Sequence, residues 1–381
     1  MRVFLDNAAT TSMSEEVIQA MLPIMREDYG NPSSIHACGR KVRAKIEECR
    51  KKVANNIGAS IGEIFFTSGG TESNNMALKC AVRDLAVKRI ISDPIEHHCV
   101  LHSLESLQRE GIQIDLVRVD ERGRVDYDHL EELLESSDAK TLVSLMHANN
   151  EIGTKQDLNR ISEICQAHNA LFHSDTVQTM GHFPISVEET KISFLSGSAH
   201  KFHGPKGVGF VYISSDNLLK PFIDGGSQER NMRGGTENVI GIVGLSKAFE
   251  LAIDNMNERQ AYIEDLRAYL KAQLTEKFED IQFNGDHDGD YLYTVLSVSF
   301  PPSPKAGLLL LSLDIAGISA SGGSACSSGA EKGSHVLAAI NAGIDRKTIR
   351  FSFSHYNTKE DIDFLVEKLK ALTPMKEMVE A

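Results

Sequence analysis

The chain has no long apolar run. Its most apolar stretch, Leu308 to Leu313, is stopped by Asp314, far short of the roughly 20 residues a membrane-spanning helix needs. Nor does it open on a signal segment, since Met1-Arg2-Val3-Phe4-Leu5 meets Asp6 before any useful apolar length. Both absences lead us to expect a cytoplasmic protein. Positive charge is in deficit, with 40 Lys and Arg against 53 Asp and Glu, net −13. That balance disfavours sequence-independent binding to nucleic-acid backbones. Cysteine is sparse: Cys38, Cys49, Cys80, Cys99, Cys165 and Cys326 form no C-x-x-C pair. A zinc knuckle is disfavoured, and no metal site is expected. Five of the six sit in helix-like or strand-edge contexts and read as small buried hydrophobes. No internal repeat or low-complexity segment is present.

What is present is alternation. Strand-like and helix-like stretches succeed one another, which predicts an α/β fold with a largely parallel sheet. Strand-like runs are Ile61–Thr67, Arg89–Ser92, Ile112–Val119, Thr141–His147, Leu171–Ser174, Ile192–Leu195 and Val208–Ile213. Helices are expected through Met25, opened by a Ser12/Glu15 capping box, over Arg40–Asn56 and over Ser73–Val87. After Leu251 the character changes. Ile263, Leu266, Leu270, Leu274 and Phe278 mark a long amphipathic helix. A turn-rich stretch, an alternating strand Tyr291–Phe300 and a last helix capped by Thr358 and Asp361 follow. We read a large domain over 13–256, and a smaller α+β domain from 1–12 with 257–381.

The chemistry begins at Lys201, which follows the strand-like run Ile192–Leu195 and precedes the turn His203-Gly204-Pro205-Lys206-Gly207. Asp175 ends the preceding strand-like run. A strand-ending acid and a strand-ending lysine can converge on one sheet edge. That is what pyridoxal phosphate needs: an amine to hold the aldehyde and a carboxylate to hold the pyridine nitrogen protonated. Ser68-Gly69-Gly70-Thr71-Glu72-Ser73 lies between a strand and a helix, where backbone N–H groups can close on a phosphate. Each has a bland counterpart, since many α/β turns carry glycines and Asp175 could be a helix N-cap. His97 could stack on the ring, although His98 beside it shows how little residue type decides. Asn149 and Asn150 close another strand and either bond a phenolic oxygen or make a turn. Cys326 sits within Ser319–Ala330, a run of small residues expected to be mobile and exposed. Its thiol could swing to a substrate, or the run could be a hinge with an incidental cysteine. Arg350, in a short strand-like run, could clamp a carboxylate.

Together these stretches resemble the class V, fold type I pyridoxal phosphate enzymes, and specifically cysteine desulfurases of the NifS/IscS type. The resemblance runs from Leu5-Asp6-Asn7-Ala8-Ala9-Thr10-Thr11 to Ile349-Arg350-Phe351-Ser352. Ser324-Ala325-Cys326-Ser327-Ser328 is its most specific stretch and is similar to the long-loop group I members. The resemblance implies a mostly parallel seven-stranded sheet, a Schiff base on Lys201, Asp175 at the ring nitrogen, and Gln178 and Asn150 at the phenolic oxygen. His97 would stack on the ring and move protons. Gly70, Thr71, Ser198 and His200 would hold the phosphate, and Thr236 would reach the phosphate of a neighbouring subunit in a homodimer. Arg350, with Asn150, would bind L-cysteine, and Cys326 would take its sulfur as a persulfide. An acceptor protein, an iron–sulfur scaffold or a thiolation relay, would collect it. Ala199, Ser354-His355 and Ser227 depart from the common pattern, and the tail from Thr373 is short for scaffold docking. An aminotransferase, another class V lyase, a selenocysteine lyase or a cofactor-free scaffold are the competing readings. The Cys326 loop speaks against the first two, and a bound cofactor would exclude the last.

Overall fold

The computed structural model describes residues 2–304, 306–322, 333–343 and 345–376. Cys326 lies outside the described residues, with all of the Gly322–Gly329 loop but Gly322. The first part of the chain runs β1 (Val3–Phe4), α1 (Glu15–Arg26), α2 (Ala37–Asn56), β2 (Ile64–Thr67), α3 (Gly70–Asp84), β3 (Arg89–Ser92), α4 (His98–Arg109) and β4 (Gln113–Leu116). It continues through α5 (Tyr127–Glu135), β5 (Thr141–Ser144), α6 (Leu158–Ala167), β6 (Leu171–Asp175), α7 (Val187–Thr190), β7 (Phe194–Ser198), β8 (Gly209–Ile213) and α8 (Val239–Asp254). The remainder is α9 (Met256–Lys277), β9 (Gln282–Asn284), β10 (Val295–Phe300), α10 (Leu309–Ile315), β11 (Ile318–Ser319), α11 (His335–Ala339), β12 (Lys347–Ser352) and α12 (Lys359–Lys370).

Seven strands form one sheet in the order β2-β8-β7-β6-β5-β3-β4. Parallel pairing joins β4, β3, β5, β6 and β7, while β8 runs antiparallel to both of its neighbours. The short reversal from β7 into β8 requires that, because a parallel return needs a longer crossover. Alternate residues enter two cores. Ile64, Phe66, Val143, Leu195, Phe210 and Tyr212 face one apolar cluster, and Phe65, Leu142, Phe194, Val211 and Ile213 face another. Helices cover both faces, so the central strands read as continuous apolar runs. A separate cluster joins Val3 and Leu5 to Leu266, Leu270, Val298, Phe351 and Leu365. It packs around the antiparallel sheet β12-β10-β9.

Several expected boundaries move. Ser14, not Ser12, caps α1, its hydroxyl accepting from Val17 N at 3.4 Å. The capping box at Thr358 and Asp361 is present as expected. Helix α3 begins at Gly70, three residues before the expected Ser73, which brings its N-terminus onto the glycine turn. The strand expected over Tyr291–Phe300 shortens to β10 and is buried on both faces instead of alternating, because α9 and its strand neighbours enclose it. Cys49, Cys80 and Cys165 are buried as expected, Cys99 is half-buried, and Cys38 is exposed. Among the described residues no helix is long and apolar enough to cross a membrane.

Candidate active site

Strands β6 and β7 lie side by side in parallel, with Asp175 opposite Ser196. The register places the acid at the end of one strand and the lysine turn just past the end of the next. Lys201 Nζ donates to the carbonyl oxygens of Ala8 at 2.6 Å and Ala9 at 2.9 Å. These belong to the Leu5–Thr11 segment, which crosses the strand ends. Asp175 is buried and accepts from Asn74 Nδ2 at 2.6 Å, from Val177 N at 3.0 Å and from Ser196 Oγ at 3.3 Å. Three donors on one buried carboxylate fix its plane.

Sequence reasoning did not assign Asn74 a role. It lies one turn inside α3, and its Oδ1 meets His173 Nε2 at 3.1 Å. His173 Nδ1 in turn meets Ser144 Oγ at 2.8 Å. Burial pushes His173 down to about 4, so the ring is neutral near pH 7. The amide donates to Asp175, so its oxygen accepts from His173 Nε2–H, and Nδ1 accepts the Ser144 hydroxyl. One relay thus orients the carboxylate from behind. The signal in the sequence was Asn74-Asn75, directly after the Ser68–Ser73 turn, to which local pattern attaches no chemistry.

The glycine turn closes the opposite side. Gly69 has φ +148°, a conformation that side-chain-bearing residues rarely adopt. A Cβ on Gly209 would stand 2.4 Å from Gly197 O and 2.7 Å from Gly69 Cα, so only glycine lets β7, β8 and the turn meet. Helix α3 then points its N-terminus at the space beside Ser198 and His200.

These groups line one cavity of about 240 Å³. It brings together Lys201, Asp175, Gln178, Asn150, His97 and Arg350, with Gly70, Thr71, Ser198 and His200 at its other end. The expected site residues therefore converge, with two exceptions. Thr236 lines a different depression, with Ser68, Gly207 and Arg233. Cys326 lies outside the described residues, but the ends of its loop do not. Ser321 exchanges backbone hydrogen bonds with Arg350, at 2.7 and 3.3 Å. On the returning side, Ser334 Oγ donates to Glu151 Oε2 at 2.5 Å and His335 Nε2 donates to Glu96 O at 2.9 Å. Both feet of the loop stand beside residues at the cavity rim.

The Asn149-Asn150 pair divides its work. Asn149 is buried and builds the turn, donating to Ile95 O at 2.7 Å and accepting from Glu151 N and Ile152 N. Asn150 faces the cavity, and its carbonyl accepts from Arg350 Nη1 at 2.8 Å. Arg350 Nη2 pairs with Asp6 Oδ1 at 2.7 Å, and its buried Nε has no partner among the described residues. His97 caps α4, its Nδ1 accepting from Cys99 N at 3.1 Å. Burial, offset by Asp175, lowers its pKa, so the neutral ring carries its proton on Nε2. His200 is pushed down to about 4 by burial and by Lys201. Cys99 is the one cysteine among the described residues that lines the cavity. Burial first, then Asp175, pushes its thiol up to about 12. Two further acids lie fully buried beside His97. Burial raises Asp93 to about 7, and burial first, then the charges of Asp93 and Asp175, holds Glu96 well above the ordinary carboxylate range.

The residues fit pyridoxal phosphate. The glycine approach leaves room where a Cβ would intrude, α3 aims N–H groups at that room, and a fixed carboxylate and an amine share the cavity.

The family described as aminotransferase class-V matches residues 3–365. A cysteine desulfurase IscS from Dictyoglomus turgidum is 45% identical, covering 98% of this chain and 97% of its own. Another from Methanosarcina thermophila is 43% identical, covering 98% and 94%. A solved NifS-like protein superimposes with a TM-score of 0.90 at 38% identity, over 97% of this chain and 99% of its own. A structure described as SspA in complex with cysteine gives a TM-score of 0.82 at 30% identity, over 94% and 100%. The chain belongs to the class-V aminotransferase family and, within it, to the cysteine desulfurases of the NifS/IscS type. It is a pyridoxal-phosphate-dependent enzyme of fold type I.

Proposed function

We propose that this enzyme moves sulfur from L-cysteine to Cys326, leaving L-alanine and a Cys326 persulfide. The observation that carries the assignment is the anchoring of both feet of the Cys326 loop at the rim of the lysine cavity, on Arg350 and beside Asn150 and His97. Cys99, inside the cavity, is held protonated and cannot serve as the nucleophile.

Lys201 would hold the cofactor covalently, with Asp175 at its ring nitrogen, Gln178 and Asn150 at its phenolic oxygen and His97 on its face. Gly70, Thr71, Ser198 and His200 would hold its phosphate. Pyridoxal phosphate supplies an electron sink that makes the substrate Cα–H acidic and its Cβ–S bond labile. Arg350 orients the substrate through its carboxylate, in competition with Asp6. Lys201 Nζ carries the Cα proton. Cys326 attacks the substrate sulfur as thiolate: an S–S bond forms, the Cβ–S bond breaks, and the electron pair left on Cβ takes up a proton. The organic product is alanine.

Around this centre we place a homodimer in which Thr236 reaches the neighbouring subunit's phosphate. A large domain covers 13–256, and a small one covers 1–12 with 257–381. We place the enzyme in the cytoplasm and assign an acceptor protein of the iron–sulfur scaffold or thiolation-relay kind. Incubating the holoenzyme with L-cysteine and a reducing thiol should yield alanine and sulfide in equal amounts. Cys326→Ala should lose both while retaining the cofactor absorbance. A Cys326→Ala variant as active as the parent, or alanine without sulfide, would overturn the proposal.

A further inference from the structure

A second, smaller cavity lies directly behind the lysine turn. Its volume is about 20 Å³, room for a single water-sized species. His182, His203, His355, Arg259 and Tyr293 line it. Two of the imidazoles are already committed. His182 Nε2–H donates to Lys201 O at 3.2 Å, so its Nδ1 accepts the Tyr293 hydroxyl at 2.9 Å. His203 Nδ1–H donates to Ser12 O at 2.9 Å. His355 packs edge-on against His203, with ring centroids 4.6 Å apart. Its ring nitrogens have no hydrogen-bond partner among the described residues. Burial keeps all three rings neutral near pH 7.

Arg259 is the anomaly. It reaches in from α9, half-buried, and burial disfavours its charge. Its guanidinium forms no ion pair and no hydrogen bond among the described residues. Glu16 and Glu258 act on it only from a distance. A guanidinium presents five donors and no acceptor, and a charge half withdrawn from water without a counter-ion loses solvation that nothing replaces. No carboxylate lines the cavity. The lining holds Arg259, Lys201 with its Nζ bonded to the Ala8 and Ala9 carbonyls, a committed neutral histidine pair and a third ring with an N–H to spare.

We infer that this cavity binds a small monovalent inorganic anion of chloride size, held by Arg259 and the ring N–H of His355 against the back of the Lys201 turn. Charge-assisted hydrogen bonds to the guanidinium supply the affinity, and cavity size excludes phosphate or sulfate. Packed beside His182, which bonds the Lys201 carbonyl, the anion fills the space behind the turn that carries the lysine. This site does not rest on the reaction proposed above.

The test is chloride NMR line width on holoenzyme exchanged into gluconate buffer. Saturable broadening on adding chloride is expected, and Arg259→Gln should weaken it at least about tenfold. Arg124→Gln, which alters an exposed ion pair at 52% and 42% exposure, should leave it unchanged. If Arg259→Gln melts early, His355→Phe carries the same expectation of weakened binding. Crystals grown in bromide should show an anomalous peak within hydrogen-bond reach of Arg259. No saturable broadening in the parent, equal broadening in Arg259→Gln, or bromide bound only elsewhere would overturn the inference.

Discussion

Asn74 decides how rigidly Asp175 is held. It is fully buried and passes the orientation of His173 and Ser144 on to the carboxylate. Asn74→Ala removes a 2.6 Å hydrogen bond from a buried carboxyl group, a change of about 1–3 kcal/mol. The expected result is cofactor retention weakened about tenfold or more, read as absorbance left after dialysis; full retention would show that Val177 N and Ser196 suffice. Lys201 and Asp175 were legible because strand-ending residues can be read from apolar runs alone. Asn74 was not, because its partners lie about 100 positions away and no local pattern announces them. Thr236 shows the converse. Its motif was recognised, yet within one chain it faces its own depression rather than the lysine cavity.

Elements are stapled to one another by one buried ion pair. Arg50 of α2 meets Glu229 through two hydrogen bonds, at 2.6 and 2.9 Å. Glu229 also accepts from Phe66 N of β2 at 2.8 Å. A helix, an edge strand and the turn at Gln228–Asn231 are thereby fixed together. Both side chains are almost fully buried, at 3% and 2% exposure, so breaking the pair leaves a charge in the interior. Glu229→Gln is expected to lower unfolding free energy by about 3–5 kcal/mol, measured by urea unfolding. A loss under about 1 kcal/mol would match an exposed pair instead. Element boundaries were legible where capping chemistry is local, as at Thr358 and Asp361. They failed where two candidates compete, as with Ser12 and Ser14. They failed again at β10, where tertiary enclosure overrides the expected alternation. The antiparallel β8 follows from a short turn, whereas the sequence reading expected only a largely parallel sheet.

Across the whole molecule, six histidines, three buried and three half-buried, set a response to acid. His147 and His203 are pushed down to about 3, and His173, His182, His200 and His355 to about 4, all mainly by burial. The unfolded chain titrates these rings near pH 6.5. Between about pH 6.5 and 4 the unfolded state therefore binds more protons than the folded one, so stability falls as pH falls. The slope is at most about 1.4 kcal/mol per pH unit for each ring. The urea midpoint at pH 5 is expected well below that at pH 7.5; equal midpoints would show the rings charge without unfolding. The sheet order carries a consequence of another kind. Strands β7 and β8 are joined by a short turn and can zip locally, so the lysine turn has an early route to its native shape. The glycine turn after β2 reaches it only when Ile64 finds Tyr212, across more than a third of the chain. Long-range pairing of this sort is slow. During refolding, the amine is in place before the anion cradle, and the cofactor's recapture is the event that reports the last strand to arrive.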